Sequence, residues 1–319
     1  MDNVLVSVAM TTYNGSKYLK EQIESILLQT VNDFELIICD DCSTDNTLEI
    51  ISSYAQKDKR IRFYENKENL GYVKNFEKAI SLCNGQYIAL SDQDDIWMSD
   101  HLSILLTEIK TEQLSLVGGN ALLVDSENKD LHCKLINNNN LPEKKEDFEN
   151  MLLYRNVFQG AAILFDKEIL NKALPFPEGL KYHDWWLALV ASECNGVKYI
   201  NEPVLRYRQH GNNVTGNHER DSVKKKLLKF CKNDLQEYGK RNFSILNKFI
   251  NVTKKKEIVI EASSFAKSCM LQELRAISYY IKHHKEIYFR ESPLTNITRI
   301  SKMILNCFYA KSTKKSDQN

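Results

Sequence analysis

Three carboxylates within four positions, Asp92, Asp94 and Asp95, close the apolar run Tyr87-Ile88-Ala89-Leu90. Crowded carboxylates resist ionising together unless a cation lies between them. Oxygen ligands at the end of a strand suit a hard divalent ion, Mg²⁺ or Mn²⁺, of the kind that holds substrate phosphates. So short a pattern reads equally well as a solvated acidic turn ahead of a helix starting near Ser99. A second centre is Lys181-Tyr182-His183-Asp184-Trp185-Trp186, where Asp184 stands at the start of a helix and can serve as cap or as general base. The chain's three tryptophans, Trp97, Trp185 and Trp186, each lie within two residues of one of these carboxylates. Indole faces pack on the C–H faces of sugars, and as often in cores. A third cluster holds Arg206, Arg208 and His210. Guanidinium geometry suits a diphosphate, and His210 is a metal or phosphate contact or an ordinary loop histidine.

The elements that must position these groups alternate. Val4–Met10, Phe34–Cys39, Ile61–Tyr64 and Tyr87–Leu90 read as strands, and Lys17–Gln29, a stretch ending at Tyr54, and Val73–Leu82 as helices. Short connections between them argue for a mostly parallel sheet covered on both faces. In such sheets ligands bind at the C-terminal strand ends, and three polar loops fall there: Thr11-Thr12-Tyr13-Asn14, Asp40-Asp41 and Asp92–Asp95. Neither G-x-G-x-x-G nor G-x-x-x-x-G-K-[ST] occurs, so phosphate recognition would fall to a metal rather than to a glycine-rich cradle. Further along, 114–125 reads as strand interrupted at Gly118-Gly119, 126–147 as an exposed polar loop, and Phe158–Phe165 as strand. Gly160 there admits a ligand to the backbone or marks a bulge.

At 319 residues the chain can hold one large domain or two ordinary ones, and its formal charge of +1 excludes nothing. Its distribution is more telling: residues 1–215 carry 21 Lys+Arg against 32 Asp+Glu, and 216–319 carry 22 against 10. That asymmetry points to an anionic partner for the second part, or to attraction between the parts. Eight scattered cysteines, with Cys39 and Cys42 in a lone C-x-x-C, fit free thiols in a reducing cytosol better than a zinc or redox site. No stretch is long and apolar enough to span a membrane, so the expected location is cytoplasmic, with peripheral attachment to the inner membrane face as an extension.

The blocks Val-Ser-Val-Ala-Met-Thr-Thr-Tyr-Asn (6–14), Cys-Asp-Asp-Cys-Ser-Thr-Asp (39–45), Asn-Leu-Gly (69–71) and Ser-Asp-Gln-Asp-Asp-Ile-Trp (91–97) resemble, in order and spacing, those of glycosyltransferase family 2, in its rhamnosyltransferase-like branch. The resemblance covers about residues 4–215. It implies an α/β fold of the GT-A type, Rossmann-like with a mostly parallel sheet flanked by helices, and inversion at the anomeric carbon of a nucleotide sugar, with a divalent metal. By that resemblance Thr11, Tyr13, Asn14 and Asp41 meet the nucleotide and Asp184 is the base. Asp94 ligates the metal, Asp92 lies towards ribose and metal, and similar family members make His210 a metal or phosphate contact, while Arg206 or Arg208 suits the diphosphate by guanidinium geometry alone. Asp95 is a second ligand or an orienter of the loop, on the sugar and acceptor side with Trp97, Trp185 and Gly160. An ionised Asp41 would accept the imide N–H of uracil or thymine, whereas cytosine offers it no such donor. Asp40 has a helix cap as its simplest role. The implied partners are a UDP- or dTDP-sugar donor, dTDP-rhamnose among them, and a saccharide or lipid-linked saccharide acceptor in cell-surface polysaccharide synthesis; no nucleic acid is expected.

Residues 216–319 hold two glycines and one proline and read as helices over Leu227–Leu235, Phe243–Val252, Ile258–Ile281 and Ile297–Phe308. The chain therefore divides into a catalytic domain, 1–215, and a basic helical region, 216–319. The basic runs 224–226 and 254–256 suit an anionic lipid surface, or else a helical appendage that packs on the catalytic domain and self-associates. Two rivals stand beside the transferase: a non-catalytic nucleotide- or sugar-binding module of the same fold, and a sugar nucleotidyltransferase, which would want a glycine-rich basic loop where Thr11–Gly15 stands.

Overall fold

The structure, a computed structural model, describes residues 4–136, 141–211, 234–271, 276 and 278–282. The chain separates into two compact units, Met1–Ile136 with Val157–Gly216 and Asn137–Asn156 with Asn217–Asn319. In the first unit β1 (Val6–Thr12), β2 (Phe34–Asp40), β3 (Ile61–Glu65) and β4 (Tyr87–Ser91) alternate with α1 (Leu19–Leu27), α2 (Thr47–Ala55) and α3 (Tyr72–Ser81). These strands pair in parallel. Every residue of β1 and β2 is buried, as a strand covered on both faces requires. The helices supply that cover: Leu19, Ile23 and Ile26 of α1 and Phe76, Ala79 and Ile80 of α3 are buried on one face each.

Beyond β4 come the short β5 (Ile96–Trp97), α4 (His101–Thr111), β6 (Leu116–Val124), β7 (Asp130–Lys134) and, in the second unit, α5 (Lys145–Leu152). The first unit resumes with β8 (Ile163–Asp166), α6 (Leu170–Ala173), α7 (His183–Ser192) and β9 (Val197–Arg208). The strands run in the order β3-β2-β1-β4-β8-β6-β9-β5, with β7 paired to β6. The sheet is mixed, for β8 joins β4 and β6 antiparallel while β6 and β9 pair in parallel.

Three departures from the expected elements have local causes. β6 runs through Gly118-Gly119 because the pair makes room for neighbours: a Cβ at Gly118 would stand 2.4 Å from a Phe158 ring carbon, and one at Gly119 2.6 Å from Val204. Part of the expected 126–147 loop is the edge strand β7, four of whose five side chains are exposed. Its turn closes on Asp125 Oδ1, which accepts from Glu127 N and Lys129 N at 2.9 Å each, a polar signal that apolar periodicity cannot reveal. Gly160 opens a short 3-10 turn, Gly160–Ala162, ahead of β8, so it marks neither a strand nor a bulge.

In the second unit, α8 (Asp234–Phe249) and α9 (Lys256–Met270) pack so closely that a Cβ on Gly239 would reach 2.1 Å from Met270 N. Residues 141–156 belong with them: Asn242 Nδ2 donates to Tyr154 O at 2.6 Å, and the Tyr154 and Tyr279 hydroxyls meet at 2.9 Å. Lys254, Lys255 and Lys256 are exposed. The basic run 224–226, the expected helix Ile297–Phe308 and nearly all of Leu227–Leu235 lie outside the described residues. No helix among the described residues is long and apolar enough to cross a membrane.

Candidate active site

A cavity of about 910 Å³ opens at the C-terminal ends of the parallel strands. Its lining follows strand order. Thr11, Tyr13, Asn14 and Asp41 stand at the ends of β1 and β2, Asp92 and Asp94 follow β4, and Ser126, Tyr207, Gln209 and His210 come from the ends of β6 and β9.

The first group is locked by hydrogen bonds. Asp41, 3 % exposed, accepts at Oδ1 from Asn66 Nδ2 (2.7 Å) and Leu70 N (2.8 Å), and at Oδ2 from Gly71 N (2.9 Å). Lys78 Nζ, 2.6 Å from Asn66 Oδ1, fixes which end of that amide faces Asp41. Asp40 holds the turn after β2 through Ser43 N (2.8 Å) and Thr12 Oγ1 (2.7 Å). The backbone of Tyr13 is clamped by the Gln93 amide, which accepts from Tyr13 N at 2.8 Å and donates to Tyr13 O at 3.0 Å. Gly15 is required beside it, because a Cβ there would fall 2.1 Å from Gln93 Oε1. The Tyr13 ring is left 51 % exposed.

At the end of β4, Asp94 Oδ2 lies 2.8 Å from His210 Nε2, and the His210 ring stacks on Tyr18 at 5.0 Å between centroids. Asp92 is pushed up to about 7 by burial and by the charges of Asp94 and Asp184. That places Asp184 within electrostatic reach of the acidic loop, although it is not among the lining residues. Asp184 opens α7, where its Oδ1 accepts from Trp185 N at 2.7 Å. Tyr72, a lining residue at the start of α3, donates its hydroxyl to Lys181 O and so ties the segment before α7 to the cavity wall. Gly160 packs behind the same segment: a Cβ there would meet His183 Nε2 at 3.4 Å and Asp184 Cβ at 3.7 Å.

Four expected site residues sit elsewhere in unit 1, and a fifth is turned aside. Trp97 (3 % exposed) and Trp185 (0 %) are core rather than sugar platforms. Trp97 stacks on His101 at 3.7 Å, and His101 Nδ1 lies 3.0 Å from Val204 O. Burial pulls His101 down to about 3 and His183, stacked on Phe76, down to about 4, so both rings are neutral. Asp95 is wholly buried. Burial first, then Asp94 and Asp92, hold its carboxyl well above the usual range, and it orients the loop by accepting from Arg208 N at 3.1 Å. Arg208, its side chain 1 % exposed, does not face a diphosphate. It donates to Asp94 O (2.9 Å), Ser126 O (3.0 Å) and Glu21 Oε2 (2.7 Å). Arg206 is turned to Asn128, bonding its Oδ1 and O at 2.7 and 2.8 Å.

Among the described residues no group of three or more His, Cys, Asp or Glu side chains is placed to hold a metal ion. Asp94 and His210 meet at the cavity wall, with Asp92 two positions before on the same loop, and offer an open partial site. That fits an ion such as Mg²⁺ or Mn²⁺, which takes one or two carboxylates and completes its shell with phosphates and water. Sequence reasoning passed over Tyr18, Tyr72, Gln93 and Gln209, whose roles rest on tertiary neighbours rather than on residue type.

The sequence pattern described as Glycosyl transferase family 2 matches residues 7–173. An uncharacterized glycosyltransferase of Haemophilus influenzae is 27 % identical over 328 residues, 94 % of this chain and 97 % of that one. The dTDP-rhamnosyl transferase RfbG of Shigella flexneri is 31 % identical over 237 residues, 70 % of this chain and 79 % of its own length. S. aureus TarS 1–349 in complex with UDP-GlcNAc superposes with a TM-score of 0.62 at 16 % identity, over 97 % of this chain and 87 % of that one. The fold is therefore that of the GT-A transferases.

Proposed function

The chain belongs to glycosyltransferase family 2, and from that premise we propose that it is an inverting transferase. It moves a sugar from a UDP- or dTDP-sugar to an acceptor hydroxyl, in cell-surface polysaccharide synthesis. One observation carries this reading: a single cavity presents Asp41, then Asp92 and Asp94, in the order of the strands β2, β1 and β4, with the charge of Asp184 acting on Asp92. A nucleotide sugar laid along that line puts its base at Asp41, its diphosphate at Asp94 and its anomeric carbon towards Asp184.

With three donors already on Asp41, about one of its roughly four acceptor positions is left for a ligand. A single N–H meets it, as uracil and thymine offer; guanine presents two side by side and would leave one unpaired. The nucleotides in the names of TarS and RfbG are of the same kind, and dTDP-rhamnose is one such donor. Thr11 and the exposed Tyr13 ring flank the base, and Asn14 shapes the loop, with its N–H on Ser43 Oγ at 2.8 Å.

Asp94 is the group that would hold Mg²⁺ or Mn²⁺, with His210 beside it and Asp92 on the same loop, the rest of the shell coming from phosphates and water. Such an ion, when bound, supplies Lewis-acid relief of the charge that grows on the departing diphosphate. Asp184 takes the proton of the acceptor hydroxyl as its oxygen bonds to the anomeric carbon. The bond from that carbon to the diphosphate oxygen breaks, and its electron pair leaves with the nucleotide. The exposed Lys254–Lys256 segment suits an anionic surface near a lipid-linked acceptor.

A thermal-shift series with UDP, dTDP and GDP, each with and without Mn²⁺, tests the donor site. UDP or dTDP with Mn²⁺ should raise the melting midpoint, by the equivalent of about 2.7 kcal/mol at a hundred times Kd, while GDP should not. Asp94→Ala should remove the Mn²⁺-dependent part; an undiminished Mn²⁺ response in that variant excludes Asp94 as a ligand.

A further inference from the structure

The arginines expected at the diphosphate are both engaged elsewhere, Arg206 with Asn128 and Arg208 with Asp94 O, Ser126 O and Glu21. The cavity nevertheless holds a permanent cation. Among the described residues that line it, Lys17 is the one Lys or Arg, set against the carboxylates of Asp41, Asp92 and Asp94. Lys17 lies in the turn between β1 and α1, and it is exposed. It forms no salt bridge among the described residues.

The Tyr18 ring places its ammonium. Lys17 Nζ stands 4.8 Å from the centroid of that ring. The same ring carries the Arg208 guanidinium at 4.6 Å and stacks on His210 at 5.0 Å. Arg208 in turn donates to Asp94 O at 2.9 Å, and His210 Nε2 is 2.8 Å from Asp94 Oδ2. The fields of Arg208 and of Glu127, in the turn between β6 and β7, also reach Lys17. Lys17 thus stands on the same side of the cavity as Asp94. Glu21 answers the charge of Arg208 at 2.7 Å, whereas the ammonium of Lys17 faces open space beside a second cation. Such a place favours an anion. A metal ion held by carboxylates is partly neutralised by them, and a diphosphate gains charge as it departs. A further cation therefore has work that the metal does not exhaust, and an ammonium meets phosphate well as a point charge.

We propose that Lys17 binds the diphosphate of the donor and offsets the charge that grows on it, the part that guanidinium geometry had suggested for Arg206 or Arg208. The inference rests on the nucleotide-sugar reading of the cavity, and goes beyond it by naming the protein's own cation for the departing group. It also explains why a lysine is kept on the wall of an acidic cavity without a carboxylate bonded to it: its partner arrives with the ligand.

The test uses the full chain as wild type, Lys17→Met and Lys17→Arg. Uridine, UMP and UDP are each titrated with Mn²⁺ at low and at high salt, and thymidine, dTMP and dTDP likewise. Lys17→Met should lose roughly tenfold in affinity for UDP or dTDP, and less than about twofold for the nucleoside. The loss should shrink as salt rises, because an exposed charge is screened, and Lys17→Arg should recover most of it. The unliganded melting midpoint should stay at that of wild type, since the side chain is exposed. Three results overturn the proposal. Undiminished diphosphate affinity in Lys17→Met removes the contact. Equal losses for nucleoside and diphosphate would make Lys17 a shaper of its loop. A loss that neither responds to salt nor recovers in Lys17→Arg would rest on packing against Tyr18. Failure of wild type to bind any of these nucleotides contradicts the underlying reading instead, and shows before a variant is compared.

Discussion

The two walls of the cavity are built differently. On the β1–β2 side the polar groups are satisfied by the protein itself: Asp41 takes three donors, Asn66 is fixed by Lys78, and the Tyr13 backbone is clamped by Gln93. On the β6–β9 side Arg208 braces the loop from behind, while the buried side-chain amide of Gln209 beside it has no hydrogen-bond partner among the described residues. The first wall is rigid before any ligand arrives, which lowers the ordering cost of binding.

The largest effect should come from Asp184, whose charge acts from the start of α7 on Asp92 in the acidic loop. Asp184→Asn should lower turnover by about 10²–10⁴-fold, the usual share of base catalysis, while titration with UDP or dTDP and Mn²⁺ stays within about twofold of wild type. Turnover near wild type in this variant removes Asp184 from the chemistry, and a matching loss of nucleotide affinity moves it to the donor site.

The brace behind the second wall comes next. Arg208→Met should cost about 2–3 kcal/mol in denaturant unfolding, because Asp94 O and Ser126 O lose a charged donor. This stays below the roughly 3–5 kcal/mol of a fully buried ion pair, since Glu21 is half exposed. Arg208→Lys should recover little of it, as one ammonium cannot reach three divergent acceptors. If Arg208 instead served a diphosphate, stability would be unchanged and nucleotide binding would fall.

The smallest effect lies under β9, where His101 supports the wall through Val204. Its folded value is about 3, below the ordinary 6.5. The unfolded chain therefore binds the extra proton in between, and stability falls as pH falls from 6.5 towards 3. Relative to His101→Phe, wild type should lose about 1.6 kcal/mol between pH 6.5 and pH 5, the slope rising towards about 1.36 kcal/mol per unit as the unfolded histidine becomes fully protonated. The comparison with the variant cancels the titrations of Asp92 and Asp95, which run in the opposite sense. A constant difference across that interval would mean that His101 charges in the folded protein.

The two walls also differ in how far the sequence disclosed them. The alternation of strands and helices to β4, the polar loops after each strand and the acidic triplet follow from local pattern, and the cavity gathers Thr11, Tyr13, Asn14, Asp41, Asp92, Asp94 and His210 at that edge. The far wall depends on long-range neighbours. An arginine that braces and one that grips a diphosphate have the same letter; only the closeness of Glu21, Asp94 and Ser126 to Arg208 tells them apart. Trp97 and Trp185 stood near carboxylates in sequence, yet alternation and helical phase turned both inward.

The most direct measurement of the central claim is the anomeric configuration of the transferred sugar, read by NMR on the product of the donor identified by titration. A single displacement with Asp184 as base predicts the configuration opposite to that of the donor. Retention of the donor's configuration would contradict it.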